Sequence, residues 1–400
     1  MLAAAVAAAV GLAGCTATGT AADSVATAET TGSESRTGNA NTAEVVAAAE
    51  AFLDTLSEEQ RESVLYDYDD EAKTTGWSNF PASMVERNGI ALKDLTEEQR
   101  EAALAVMEAA LSEQGYEELL AIQAADGYLN ENQGGTGEEG SEEEEDGTAP
   151  AEEDGRQGEP PSQPPGGDGQ APREGGGGQA PQDGGPGQLE FGEEEYYLSF
   201  FGEPDETESF MVQYGGHHVA YNITYSGDDV TLSPSLTGTE PMEFEYEGES
   251  YAPLEDKRDA ALGAVAALDE ERLAEAEIDS GTEDLLLGPG SDGPFPEEEG
   301  VLVSDLGQEQ QDRVTAMLRA WVGDLDEEAA DALIERYVSE YDETRLSWSG
   351  SIDADDVDTY IRLDGPSAWI EFSNQPGVET SEVHQHTMFR DQNADYGWEE

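Results

Sequence analysis

The chain of 400 residues has one cysteine, four histidines, and 17 basic residues against 92 acidic ones. Each scarcity excludes something. A lone thiol makes no internal disulfide and no thiolate metal cage, so the folded core must stand unaided. A formal net charge of −75 leaves no basic surface for nucleic acid or anionic head groups, and nucleic acid is excluded as a partner. The acid also repels itself, and at molar salt, where the screening length falls to about 3 Å, that repulsion nearly vanishes. The composition is therefore halophilic-like, that of a salt-adapted or extracytoplasmic protein. No Gly-x-Ser-x-Gly elbow occurs. Gly288-Pro289-Gly290-Ser291-Asp292-Gly293 lacks the Gly-Lys-Ser/Thr ending of a phosphate loop, so no nucleotide cofactor is expected. With so many carboxylates, some pair meets at catalytic distance by chance, and paired-acid chemistry has no sequence signal.

The cysteine's place is informative. An Ala/Val/Leu run from Met1 to Gly11 leads into Leu12-Ala13-Gly14-Cys15. The run is too short to span a bilayer and reads as a lipoprotein signal over residues 1–15, with Cys15 the lipidated residue. This predicts an extracytoplasmic protein held to the cell membrane by a lipid anchor. Residues 16–42 are Thr/Ser/Ala/Gly/Glu-rich and read as a flexible tether. Residues 43–129 carry apolar residues at helical spacing, and Ser57…Gln60 and Thr96…Gln99 fit the capping-box pattern. Residues 130–188 contain no Val, Ile, Leu, Met, Phe, Trp or Tyr. They cannot offset ordering entropy by burial and read as a disordered insert. Its acidic run Glu142–Asp146 reads as a solvated charge run. Residues 189–400 alternate β-like and helical stretches without strict βα order. The expected fold is α+β, a mostly antiparallel sheet flanked by helices, in one domain interrupted by the insert.

The four histidines fall in two clusters, His217-His218 and His384-Gln385-His386. Both read as strand. On a strand His384 and His386 share a face, whereas only one of His217 and His218 joins them. If the two strands are neighbours, three imidazoles converge in a divalent-metal geometry with a fourth position open. Zinc is the first candidate, and imidazole suits copper and nickel too. Asp391, Asp395 and Glu371 are candidate carboxylate ligands. Arg390 and Arg345 are candidates for orienting an anionic substrate group, against the plainer reading that they pair with carboxylates.

Several stretches together resemble the DUF3500 family, a bacterial domain family of unknown function often found in exported proteins. They are Trp77-Ser78-Asn79-Phe80-Pro81 with Arg87-Asn88-Gly89, Leu95-Thr96 to Gln99, Tyr196 to Gly202, and Gly215-Gly216-His217-His218. Asp342-Glu343-Thr344-Arg345 with Trp348-Ser349-Gly350, and His384-Gln385-His386 through Arg390-Asp391 to Asp395-Tyr396-Gly397, complete the set. The resemblance spans nearly everything from Ala43 onward except the insert. It implies one folded domain split by that insert and supplies no catalytic assignment. Three functions stay open: metal binding or handling at the cell surface, a metal-dependent hydrolase using the same site, and a non-catalytic surface module with structural histidines. The small-molecule or metal ligand is not named by the sequence.

Overall fold

A computed structural model describes residues 36–132, 189–279 and 284–398. Cys15, the residues read as leader and tether up to 35, and residues 133–188 of the stretch read as an insert lie outside the described residues. Helices form where the periodicity placed them. On α1 (Thr42–Thr55), Val45, Val46, Ala49, Phe52 and Leu53 make one buried face. Both capping boxes form. Ser57 and Thr96 accept from the N–H three residues on, while Gln60 and Gln99 return the bond, opening the short helix Glu58–Val64 and α2 (Glu97–Ala110). α3 (Glu113–Asn132), α4 (Glu255–Ala266), α5 (Gln308–Val322) and α6 (Glu327–Ser339) complete the main helices. Among the described residues no helix is long and apolar enough to cross a membrane.

The principal strands are β1 (Tyr197–Phe201), β2 (Ser209–Gly215), β3 (Val219–Ser226), β4 (Ser235–Thr239), β5 (Arg345–Gly350), β6 (Thr359–Asp364), β7 (Ala368–Pro376) and β8 (Val383–Asp391). They lie side by side in the order β1-β2-β3-β4-β8-β7-β6-β5, each antiparallel to its neighbour. The expected class, α+β with a mostly antiparallel sheet flanked by helices, is the fold observed.

That strand order is a mirror, and the sequence repeats with it. Leu198-Ser199-x-x-Gly202 on β1 returns as Leu346-Ser347-x-x-Gly350 on β5. The turn Gly215-Gly216-His217-His218 takes the place that Asp364-Gly365-Pro366-Ser367 takes between β6 and β7. Leu65 pairs parallel with Phe200, and Glu277 with Trp348 in the same way. Gly89 and Gly300 have φ of +86° and +101°, and a Cβ there would sit 2.0 Å from the Leu198 carbonyl oxygen and 2.3 Å from that of Leu346. Each therefore lets a short strand dock against β1 or β5 as only glycine can. The described residues form two copies of one helix-and-sheet unit, joined where β4 pairs with β8. Beneath that seam Lys257 of α4 bonds Glu118 of α3 (2.5 Å) and Asp324 (2.8 Å). Burial pushes the Glu118 carboxyl up to about 7 against the pull of Lys257.

Alternation separates the sheet's two faces. Leu198, Phe200, Val212, Tyr214, Ile223, Ile361, Leu363, Ile370, Phe372 and Phe389 join the helices in one apolar core. The opposite face carries Gln213, Asn222, Arg362, Glu371, His384 and His386, all buried. Two straps, residues 67–89 and 284–300, bond to it through Gln213 and Glu371.

Candidate metal centre

The histidines meet at the seam, but not by the expected route. The strand after His217-His218 and the strand of His384 and His386 are not neighbours. β4 runs between them, with Gly238 opposite His386 and its N–H bonded to the His218 carbonyl (2.8 Å). Gly238 makes the meeting possible. A Cβ there would fall 2.8 Å from His386 Cδ2 and 3.0 Å from His218 Cδ2, so the imidazoles close over the gap its missing side chain leaves. Nor do His217 and His218 face opposite ways. They sit in the turn before β3, where His218 has φ +63°, and a left-handed residue breaks strand alternation. Their rings stack at 3.6 Å. All four histidines thus gather, with centroid separations of 4.7 Å for His218–His384, 5.3 Å for His218–His386 and 4.4 Å for His384–His386.

Three carboxylates back the rings. Asp126 Oδ1 lies 2.6 Å from His217 Nδ1. Asp284 Oδ1 lies 2.9 Å from His386 Nδ1. Glu240 Oε2 lies 3.3 Å from His384 Nδ1, close but not aligned as a hydrogen bond. A carboxylate on Nδ1 holds the ring N–H there and leaves the Nε2 lone pair for an ion, the usual support of a metal-ligating histidine. His384 Nε2 faces His218 Nε2 at 2.8 Å. One donor atom each from His218, His384 and His386 lies within 4.8 Å of the others, and so does a second set, Asp126, His217 and His218. His218 Nδ1 is buried with no hydrogen-bond partner among the described residues, an expense that a bound ligand at this ring would relieve. Burial, then the neighbouring imidazoles, hold His218 and His384 well below the ordinary histidine pKa, so both are neutral donors at neutral pH. Burial pushes Asp284 up, but His386, Gln375 and the Leu285 N–H more than offset it and leave it below the ordinary carboxylate value. The buried His and Asp groups can therefore hold a metal ion.

The strap that carries Trp77-Ser78-Asn79-Phe80-Pro81 shapes one wall. Asn79 Nδ2 lies 3.4 Å from His386 Nε2, and the Asn79 carbonyl accepts from the His218 N–H at 3.5 Å. Trp77 is buried and packed with Leu236, Leu285 and Met388. Arg87 ties the strap to the turn by donating to the Ser78 (2.9 Å) and Gly216 (2.8 Å) carbonyls.

The other candidates lie elsewhere. Asp391 is not a ligand: it faces the core side of β8 and accepts from Arg336 and from Tyr337 (2.8 Å). Arg390 shares the face of His386 but is spent on Asp395 (2.7 Å), Asp292 (2.9 Å) and the Leu287 carbonyl (3.1 Å). That pairing removes both Arg390 and Asp395 from the centre. Arg345 bonds the Gly300 carbonyl (2.9 Å) near Glu298 at the far edge strand. Glu371 turns to the second strap, not to the rings. Sequence reasoning missed Asp126, Glu240, Asp284 and Asn79. Only Asp126 left a signal, as an acid inside the Ala/Leu-rich face of α3 that folding buries completely.

The fold and the centre define a class: a two-repeat α+β protein with a buried histidine cluster at the seam of its repeats. The chain belongs to the family described as Protein of unknown function (DUF3500), whose profile matches residues 38–398. No curated protein and no solved structure matches it.

Proposed function

We propose that the protein binds a divalent metal ion through His218, His384 and His386, with zinc the first candidate and copper and nickel also suited to imidazole. The observation that carries this reading is the convergence of His218, His384 and His386, one donor atom of each within 4.8 Å of the others, with Asp284 on Nδ1 of His386 aiming its Nε2. The orphaned His218 Nδ1 and the side-chain-free gap at Gly238 fit the same reading. Burial of all four rings favours holding an ion over the hydrolase alternative, which needs a coordination position open to substrate. We further propose that the work is metal capture or handling at the cell surface, with Cys15 carrying the lipid.

Calorimetric titration of untagged protein with zinc tests the first proposal. The expected result is one tight site per chain, lost when His384→Ala and His386→Ala are combined while the circular dichroism spectrum is kept. Equal zinc uptake by that double variant overturns it. Radiolabelled palmitate that is not incorporated by the wild type overturns the lipid anchor, and incorporation that survives Cys15→Ala overturns Cys15 as its carrier.

A further inference from the structure

We infer that Glu371 is a positioning residue for the centre: it latches the strap Asp284–Leu287 so that Asp284 meets His386. The inference rests on the metal reading for one arm of its test and on geometry alone for the other. Glu371 stands on β7 opposite Met388, one step along the same face from His386. It is fully buried, and its carboxylate accepts four bonds. Oε1 takes the Leu286 N–H (2.6 Å) and the Tyr360 hydroxyl (2.8 Å), and Oε2 takes the Leu287 N–H (3.0 Å) and the Trp369 indole (2.9 Å). Those bonds use the acceptor capacity of a carboxylate, so Glu371 is not a ligand in waiting.

Two of the four donors are successive backbone N–H groups of the strap, and the strap's Asp284 stands just ahead of them. Asp284 Oδ1 lies 2.9 Å from His386 Nδ1 and 2.6 Å from Gln375 Nε2. Fixing the backbone at Leu286 and Leu287 fixes where that carboxylate falls.

The first repeat shows that the fold itself does not ask for a charge here. Asn222 holds the equivalent place on β3, opposite Gln213 as Glu371 is opposite Arg362. Its neutral amide bonds the Pro234 carbonyl (2.8 Å) and Gln213 (2.7 Å). A carboxylate buried without a direct cation contact is expensive. Its return is the pair of strap N–H bonds, which a neutral amide at the same position does not make.

The test uses the full chain with Glu371→Gln, whose amide turns donors toward donors. In metal-free protein, hydrogen exchange at Leu286 and Leu287 is expected to speed by about 10-fold or more, as for loss of one to two kcal/mol of local protection. The His386 ring nitrogen resonances should move as the Asp284 bond is lost. Zinc affinity should fall by about 10- to 100-fold, the usual cost of losing a ligand's supporting carboxylate. Glu371→Gln with Asp284→Asn should bind zinc no more weakly than Asp284→Asn alone, because both cut one path. Unmoved His386 resonances, unchanged zinc affinity, or fully additive losses overturn the inference. If the wild type takes no zinc, the metal reading fails and the exchange and ring signals still decide the latch. If Glu371→Gln does not fold, Tyr360→Phe removes a single donor, and unchanged exchange at Leu286 and Leu287 in that variant counts against the latch.

Discussion

The turn that carries His217 and His218 and the turn Asp364-Gly365-Pro366-Ser367 are the same piece of architecture in two repeats. In each, an acid from the preceding helical hairpin clasps the turn. Asp126, on α3, holds His217 and accepts from Tyr196 (2.8 Å). Glu340, just past the end of α6, accepts from the Ser367 hydroxyl (2.7 Å) and N–H (3.1 Å). A clasp therefore needs only a short polar group and a backbone N–H. The imidazoles of the first repeat are more than the fold requires, and they stand where β8 of the second repeat brings two more. The difference teaches that the centre belongs to the seam and not to either repeat. One repeat supplies His218 and the empty side of Gly238, and the other supplies His384 and His386.

The largest effect should come from erasing the difference. His217→Pro with His218→Ser puts the second turn's Pro366 and Ser367 residue types in place of the two histidines. Zinc affinity should drop more than about 100-fold, while stability falls by only about 1–3 kcal/mol. Zinc titration and urea denaturation read the two numbers. Retained binding would mean that the first turn is not part of the centre.

The pH dependence sharpens the comparison next. His218 and His384 are neutral in the fold, below the ordinary value of 6.5, while the unfolded chain binds protons on them near that value. Between the folded and ordinary values the unfolded state holds more protons, so metal-free stability is full above pH 6.5 and lost as pH falls below it. Each group contributes up to about 1.4 kcal/mol per pH unit across that window. Urea melts from pH 8 to pH 5 measure the slope, and the turn-swapped variant should lose the His218 share.

Paired substitutions in the two clasps should give smaller effects. Asp126→Asn and Glu340→Gln should each destabilise by about 1–3 kcal/mol. Only Asp126→Asn should also weaken zinc binding, by about 10-fold through the stacked His217. Equal losses of zinc affinity would break the distinction. The smallest effect, shared by both repeats, is salt. A chain with net charge −75 should melt several degrees higher in molar KCl than in dilute buffer, since screening at about 3 Å relieves repulsion. An unmoved melt counts against salt adaptation.

Much of the fold was legible because it is local. The capping boxes at Ser57 and Thr96 and the apolar face of α1 each announce themselves within a dozen residues. The clustering of His217, His218, His384 and His386 likewise singled out the right side chains. The strand alternation used to join them was the wrong device. The turn conformation at His218 and the third strand with Gly238 are tertiary facts, and a lone glycine in Ser235–Thr239 carries no sign of what closes over it. Asp284 and Glu240 were hidden by number: among so many acids, none stands out until the chain folds. Asp391 misled by proximity, because the residue an odd number of steps from His386 lies on the other side of the strand. The repeat itself stayed hidden because Gly-Gly-His-His and Asp-Gly-Pro-Ser share a turn and little else.

Elemental analysis of the untagged full-length protein, purified without chelator, tests the central claim most directly. The account predicts close to one zinc-class ion per chain, absent from the His384→Ala, His386→Ala double variant. A wild type that carries no such ion, and takes up neither zinc, copper nor nickel when each is offered, contradicts it.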